Sequence, residues 1–206
     1  MSGRFITLEG IEGVGKSTNL EFVANWLRDR GESVVITREP GGTPLAERLR
    51  NALLESEGQV PPMAELLLMF AARSSHLRDL VEPALARGDW VLCDRFTDAT
   101  YAYQGGGRQL DPGLITTLER AVQGERRPDL TLLLDAAPEA TASRRSQRGT
   151  EDRFEREQTE FFRRVRNTYL ERAAAEPQRI QVIDAARPLA EVQDELSQCL
   201  ARFLRN

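Results

Sequence analysis

A glycine-rich segment near the start of the chain has the residue types that bind a polyphosphate. Residues 10–17 follow the pattern G-x-x-x-x-G-K-[ST], in which backbone N–H groups surround the phosphates of a nucleotide. Lys16 is the only lysine among the 28 lysine and arginine residues of the chain. An ammonium is a compact point charge that fits between phosphate oxygens, where a planar guanidinium cannot replace it. The segment therefore predicts a binding site for a nucleoside triphosphate.

The residues around Lys16 complete the predicted phosphate site. A predicted strand precedes the segment and a predicted helix follows it, so the N–H groups of the helix N-terminus add to the anion site. The predicted triphosphate-binding residues here are Gly10, Ile11, Glu12, Gly13, Val14, Gly15, Lys16, Ser17 and Thr18. A chance match to the pattern, or a site for an inorganic anion, is the alternative.

A magnesium ion is expected beside the phosphates. The Ser17 hydroxyl and the carboxylate of Asp94, which ends the third predicted strand, are its predicted ligands. Asp94 has an alternative role as a helix N-cap, because aspartate is a preferred capping residue.

Basic and aromatic side chains predict a second ligand at the same edge of the sheet. Arg38 follows the second predicted strand and Arg95 follows the third, and the carboxyl ends of parallel strands face the ligand crevice. These two arginines favour an acceptor that already carries a phosphate. Phe70 and Arg73 lie three residues apart on a predicted helix, so together they could stack on a base and bond its edge. Ordinary core packing of Phe70 is the alternative.

Short apolar runs alternate with helical patterns along the whole chain. The runs predict five strands, at residues 5–8, 33–37, 90–93, 130–134 and 180–183. Helices are predicted at residues 18–30, 45–54, 63–87 with a bend near Pro83, 97–103, 112–122, 138–147, 155–175 and 189–204. This alternation predicts an α/β fold, a five-stranded parallel sheet with helices on both faces, in one domain over residues 1–206. The glycine run at residues 105–107 is predicted to be a loop.

Composition excludes several classes of function. The net charge of −4 provides no basic surface for nucleic acid, and no apolar run is long enough to cross a bilayer. The two cysteines, Cys93 and Cys199, indicate no disulfide framework, and the first four residues leave no room for a signal peptide, so we expect a cytoplasmic protein. The single histidine, His76, excludes a histidine-pair metal site, and we expect it on the surface of a helix.

Several motifs together make the chain similar to the bacterial thymidylate kinases. The segments that carry the resemblance are residues 8–17, 37–43, 70–73, 94–95, 101–108, 127–131 and 183–185. Many families share the first segment, but Arg-Glu-Pro-Gly-Gly-Thr combined with Tyr-Gln-Gly-Gly-Gly-Arg is much more specific. The resemblance implies a P-loop kinase fold, a homodimer, and Mg²⁺-dependent transfer of the γ-phosphoryl group of ATP to dTMP. The products are ADP and dTDP, which serve dTTP synthesis and DNA replication.

The resemblance also implies roles for individual residues in binding dTMP. The implied dTMP-binding residues are Glu12, Arg38, Phe70, Arg73, Arg95, Thr100, Tyr103 and Gln104. Phe70 stacks on the thymine and Arg73 bonds its edge, while Thr100 and Gln104 line the base pocket. Arg38 and Arg95 hold the acceptor phosphate, Glu12 binds the 3′-hydroxyl, and Tyr103 occupies the space of a 2′-hydroxyl.

An arginine-rich segment at about residues 143–156 is expected to act as a lid. Some family members carry an arginine in the phosphate loop where this chain has Gly13, so the resemblance implies that the lid supplies the missing charge. Arg148 is the first choice for this catalytic role beside Lys16 and Arg95. Arg144 is the second choice, with stacking on the adenine of ATP as its alternative, and it is counted among the ATP-binding residues. Arg153 is a third candidate, and a solvated charged surface is the alternative for any one of them.

Three other functions are alternatives to a thymidylate kinase. A GTPase switch is disfavoured because its guanine-binding motif, Asn-Lys-x-Asp, needs a second lysine. An ATP-binding regulatory subunit would need an interaction surface or a further domain, and neither is evident. A P-loop kinase for another nucleotide or nucleoside acceptor is the remaining alternative.

Overall fold

A parallel sheet forms the centre of the protein. The computed structural model describes residues 3–56, 60–141 and 157–205. Its strands are β1 Phe5–Glu9, β2 Val34–Arg38, β3 Trp90–Asp94, β4 Leu130–Asp135 and β5 Ile180–Asp184. They form one five-stranded sheet in the order β2-β3-β1-β4-β5, and every neighbouring pair is parallel. The predicted sheet is therefore confirmed.

Helices connect the strands, as the alternating sequence pattern predicts. They are α1 Lys16–Arg28, α2 Pro44–Leu54, α3 Pro62–His76, α4 Glu82–Ala86, α5 Thr97–Thr100, α6 Pro112–Gln123, α7 Thr159–Ala175 and α8 Leu189–Phe203. The bend predicted near Pro83 is a π-helical turn, Leu77–Val81, between α3 and α4. Because proline has no N–H, the regular hydrogen-bond pattern is interrupted there, and the Glu82 N–H bonds to the Leu77 carbonyl instead.

Apolar side chains on the two faces of β1 enter different clusters of the core. Ile6 and Leu8 pack into the larger cluster, whereas Phe5 packs with Val91 and Phe96 on the opposite face. Successive side chains of a strand point to opposite faces, so these clusters require helices on both faces, as predicted. No helix in the described ranges combines the length and apolar character needed to cross a bilayer.

The glycine run at residues 105–107 is helical, so the loop prediction is wrong. It ends a second π-helical segment, Tyr101–Gly107, which continues directly from α5 and packs against α7. A Cβ atom on Gly106 would lie 2.1 Å from Thr168 Oγ1, and one on Gly107 would lie 2.5 Å from Phe161 Cε2. The glycines allow two helices to approach closely, a reason that the local sequence does not reveal.

Candidate active site

The phosphate loop connects β1 to α1 and curls around the Lys16 ammonium. Gly10 has a φ of 135°, and a Cβ atom there would lie 2.4 Å from the Leu134 carbonyl oxygen, so only glycine fits against β4. Lys16 Nζ donates to the carbonyl oxygens of Gly10 at 3.0 Å and Ile11 at 3.1 Å. Burial, reinforced by the nearby Arg95 cation, lowers the pKa of Lys16 to about 8.

Asp94 lies at the end of β3 in a position that suits a metal ligand. It is in register with Leu8 of β1 and Arg38 of β2, at the carboxyl end of the sheet. Its Oδ1 atom is buried and has no hydrogen-bond partner within the described residues. A buried, unpaired carboxylate oxygen is costly, so this atom is suited to a cation or to its bound water.

Ser17 is the other expected metal ligand, and a helix N-cap is the alternative role for Asp94. Ser17 is exposed on the first turn of α1. The nearby helix α5 begins after Phe96 without a side-chain cap, which removes the reason to assign Asp94 as its N-cap. No group of three or more histidine, cysteine or acidic residues in the described ranges could hold a metal by itself. The donor set therefore fits Mg²⁺, which typically takes few protein ligands and shares substrate phosphates.

Arg95, Glu12 and Tyr103 form a compact hydrogen-bonded group beside the phosphate loop. Arg95 Nη2 donates to Glu12 Oε1 at 2.7 Å and to the Tyr103 hydroxyl at 3.1 Å. The Tyr103 hydroxyl in turn donates to Glu12 Oε2. Burial acts to raise the pKa of Glu12, but the cations of Arg95 and Lys16 outweigh it and hold that pKa below its usual value.

The turn that carries Arg95 is fixed by Glu9 of the central strand. Arg95 has a φ of 70°, which is unusual for a residue with a side chain. Glu9 Oε1 accepts the N–H of Phe96 at 2.7 Å, and Glu9 Oε2 accepts the Tyr169 hydroxyl at 2.7 Å. Glu9 thereby connects β1 and α7 to the turn that carries Arg95.

A cavity opens next to this group, and we call it the acceptor cavity. Five predicted residues line it, namely Glu12, Arg95, Thr100, Tyr103 and Gln104. Several other residues that line it, including Glu39, Arg50 and Met69, are not among the predicted site residues. Glu39 lies inside the Arg-Glu-Pro-Gly-Gly-Thr motif, so its place at the site could have been predicted from that motif. No local sequence pattern predicts the place of Arg50.

Arg73 lies directly behind the wall of the acceptor cavity rather than among its lining residues. Arg73 Nε donates to Glu39 Oε2 at 2.7 Å, and Nη2 donates to Thr100 Oγ1 at 2.9 Å. Its Nη1 atom is buried and has no partner in the part of the chain that the structure describes. The guanidinium also lies 4.9 Å from the Phe70 ring centroid, and Phe70 itself is buried with Leu66 and Ile115.

His76 is fully buried, so the prediction of a surface residue is wrong. One ring nitrogen, Nδ1, lies 2.9 Å from Glu39 Oε1, and the other, Nε2, lies 2.7 Å from Thr37 Oγ1. Burial acts to raise the pKa of Glu39, but Arg73 and His76 more than offset it and lower that pKa. His76 is buried because both of its ring nitrogens find partners, Thr37 within β2 and Glu39 directly after it.

Arg38 does not line the acceptor cavity, although the resemblance implies a contact with dTMP. Arg38 is exposed at the end of β2, and its Nη2 atom pairs with Glu47 Oε2 at 3.0 Å. Arg144, Arg148 and Arg153 lie outside the described residues.

Comparisons with known proteins agree with the resemblance found in the motifs. The family model described as Thymidylate kinase matches residues 8–196. A thymidylate kinase of Pseudomonas savastanoi pv. phaseolicola is 58% identical over 205 residues, covering 99% of this chain and 98% of the relative. That of Methylococcus capsulatus is 60% identical over 195 residues, covering 95% of this chain and 93% of the relative. The crystal structure of thymidylate kinase from Ehrlichia chaffeensis superposes with a TM-score of 0.81 at 34% identity, covering 98% of this chain and 99% of that one.

Proposed function

Because the chain belongs to the thymidylate kinase family, whose members phosphorylate dTMP to dTDP, we propose that the acceptor cavity is its dTMP site. The observation that carries the proposal is the Arg95–Glu12–Tyr103 group, which lies between this cavity and the phosphate loop. ATP on the loop and dTMP in the cavity then face each other across Arg95.

The phosphate loop binds the ATP phosphates in this proposal. Oxygens of the β- and γ-phosphates replace the Gly10 and Ile11 carbonyls as partners of the Lys16 ammonium. The backbone N–H groups at the start of α1 add further donors, as is typical of anion sites at helix N-termini. Asp94 and Ser17 would hold Mg²⁺, which when bound neutralises charge on the transferring phosphoryl group.

Guanidinium groups hold the phosphate of dTMP. Arg95 lies in the cavity wall, and Arg50 adds a second cation to that wall. Arg38 forms a surface ion pair with Glu47. Because such a pair is weak, the phosphate of dTMP could replace Glu47 as the partner of Arg38. Positioned cations of this kind stabilise the charge that spreads over the phosphoryl oxygens during transfer.

Glu12 and Tyr103 bind the sugar. Glu12 lies inside an anion-binding loop, where its negative charge would repel phosphate, but the Arg95 cation compensates for it. A carboxylate is a good acceptor for the 3′-hydroxyl of deoxyribose. The Tyr103 ring fills the space beside Glu12 and leaves no room for a 2′-hydroxyl.

Four residues form the thymine site. Thr100 and Gln104 line the cavity one turn apart, and Arg73 hydrogen-bonds to Thr100 from behind. The unpaired Arg73 Nη1 donor supports a contact with a carbonyl oxygen of the base. The Phe70 ring lies next to the Arg73 guanidinium, and the stacking contact with thymine is assigned to it.

The segment at residues 143–156 acts as the lid of this single-domain enzyme. It follows β4, and Arg148 from this segment supplies the charge that the Gly13 position lacks. Arg144 contacts ATP.

The protein is a homodimer in the cytoplasm. Its partners are the small molecules ATP and dTMP, and it binds neither nucleic acid nor membranes. Met63 and Leu67, one turn apart on α3, are 43% and 50% exposed, which supports a contact between two copies along this helix.

An ADP-release assay across dTMP, dUMP, dCMP, dGMP and AMP tests the proposal. We expect the highest kcat/KM with dTMP and a strict requirement for Mg²⁺. A preference for a purine monophosphate would contradict the assignment of the acceptor cavity to thymine.

A further inference from the structure

A buried carboxylate lies behind the thymine site and contacts one of its proposed residues. Glu65 is on α3 and is fully buried. Its Oε1 atom accepts a hydrogen bond from Gln104 Nε2 at 2.8 Å. Arg108 Nε lies 3.2 Å from Glu65 Oε2, so the carboxylate has a cationic partner. The family assignment does not account for this contact.

The contact decides which way the Gln104 amide points. A carboxylate only accepts hydrogen bonds, whereas an amide group carries a donor on one side and an acceptor on the other. Glu65 therefore keeps the amide NH₂ turned towards α3 and the carbonyl oxygen, Oε1, turned away from it. Gln104 lines the acceptor cavity, and Oε1 accepts no hydrogen bond from the residues that the structure describes.

A second buried carboxylate, that of Glu39, fixes the position of the Arg73 side chain. Glu39 holds Arg73 through Nε, and Thr100 holds it through Nη2. Arginine has only donors. The base site thus has a fixed acceptor in Gln104 Oε1, and Arg73 Nη1, directly behind the cavity wall, is the donor left without a partner among the described residues. That pattern matches the N3–H donor and O4 acceptor of thymine, and it mismatches the N3 acceptor and N4 amino donor of cytosine.

We propose that Glu65 is a specificity-determining positioning residue, which selects thymine over cytosine by fixing the orientation of the Gln104 amide. Glu65 itself does not touch the nucleotide. The inference rests on the proposed role of Gln104 in binding the base.

The test compares Glu65→Gln with a matched control, Glu119→Gln. Glu119 is also buried, accepts from the Gln123 amide at 3.3 Å and pairs with Arg127 at 3.0 Å, but it does not line the acceptor cavity. Dissociation constants of dTMP, dUMP and dCMP are measured by competition, and thermal unfolding checks the fold of each variant. We expect Glu65→Gln to lower the preference for dTMP over dCMP about tenfold and to weaken dTMP and dUMP equally. Glu119→Gln should keep the wild-type preference.

A double-mutant cycle separates this inference from the role of Gln104. Gln104→Leu should reduce the preference for dTMP, and adding Glu65→Gln to it should cause no further reduction. Suppose that Gln104→Leu reduces the preference for dTMP over dCMP, but Glu65→Gln weakens the binding of dTMP and dCMP by the same factor. The positioning role of Glu65 is then wrong, whereas the role of Gln104 in the thymine site stands. An unchanged preference in Gln104→Leu overturns the base-binding role of Gln104, and the inference with it.

Discussion

Arg73 and Glu39 form an ion pair in which Arg73 Nε lies 2.7 Å from Glu39 Oε2, and the two side chains are only 3% and 5% exposed. Arg73 comes from α3, whereas Glu39 follows β2, so the pair joins two elements at the acceptor cavity. Removing one partner of a buried pair leaves an uncompensated charge, which is far more costly than breaking an exposed pair.

Replacing Glu39 with alanine should destabilise the protein and weaken dTMP binding. We expect a loss of about 3–5 kcal/mol in the free energy of unfolding, because the Arg73 charge remains buried without its partner. Urea denaturation measures this loss. The control is Glu139→Ala, which removes an exposed pair with Arg163 and should change stability very little. Equal losses in the two variants would contradict the importance of the buried pair.

ATP binding should weaken as the pH rises above the pKa of Lys16. In the free protein that pKa is lowered to about 8, so at higher pH the side chain is increasingly neutral and must take up a proton to bind phosphate. We expect the dissociation constant of ATP to increase roughly tenfold between about pH 7.5 and pH 9. Calorimetry in buffers of different ionisation enthalpy also detects the proton uptake. A dissociation constant that stays flat over this range would contradict the lowered pKa.

Arg148→Ala should lower kcat more than it raises the KM for dTMP. A lid arginine that contacts the transferring phosphoryl group is worth about 10³-fold or more in rate, because its contact strengthens in the transition state. Steady-state kinetics measure both constants, with Arg153→Ala as the comparison within the same segment. A change in KM alone would move Arg148 to ground-state binding, and a larger kcat effect in Arg153→Ala would reassign the catalytic role.

Tyr103→Phe should keep the selectivity against ribonucleotides. The ring stays in place and continues to exclude a 2′-hydroxyl by its bulk, while the hydrogen bonds to Glu12 and Arg95 are lost. We therefore expect a KM for dTMP that is higher by about tenfold or more, since a hydrogen bond to a charged group is worth about 1.5–3 kcal/mol. The ratio of kcat/KM for dTMP and its ribonucleotide counterpart is the measurement. Loss of that ratio would show that the hydroxyl, rather than the ring, selects the sugar.

Gly107→Ala should lower stability by about 1–3 kcal/mol through overpacking. The new methyl group would lie 2.5 Å from the Phe161 ring, so the Tyr101–Gly107 segment and α7 would have to move apart. Gly105→Ala is the matched control, since the nearest atom to its methyl group, Ile115 Cδ1, is 3.3 Å away. Denaturation midpoints compare the two, and a tolerated Gly107→Ala would argue against close packing there.

The strands and the phosphate loop could be predicted because their signals are local. Each apolar run is bounded by polar residues or glycine, and no end of an observed strand differs from its predicted position by more than one residue. Asp94, which ends β3, and Arg95, which follows it, could be placed at the crevice because parallel strands end at one edge.

Residues whose roles depend on distant partners could not be predicted in the same way. His76 is buried because of Glu39, which lies 37 positions away in the chain, and no periodicity around His76 reveals that pair. The glycine run has the local pattern of a loop, yet packing against α7 makes it helical. Arg50 and Glu65 gain their positions only when α2, α3 and the Tyr101–Gly107 segment pack together. The roles of Arg144, Arg148 and Arg153 stay predictions.

The burial of His76 bears on the order of chemical events. It is the only histidine of the chain, and its two ring nitrogens are occupied by Glu39 and Thr37 inside the protein. A nucleophile that carried the phosphoryl group between half-reactions would have to be accessible to ATP. His76 is therefore not placed to form a phosphohistidine, and a two-step transfer through the single histidine of the chain is disfavoured.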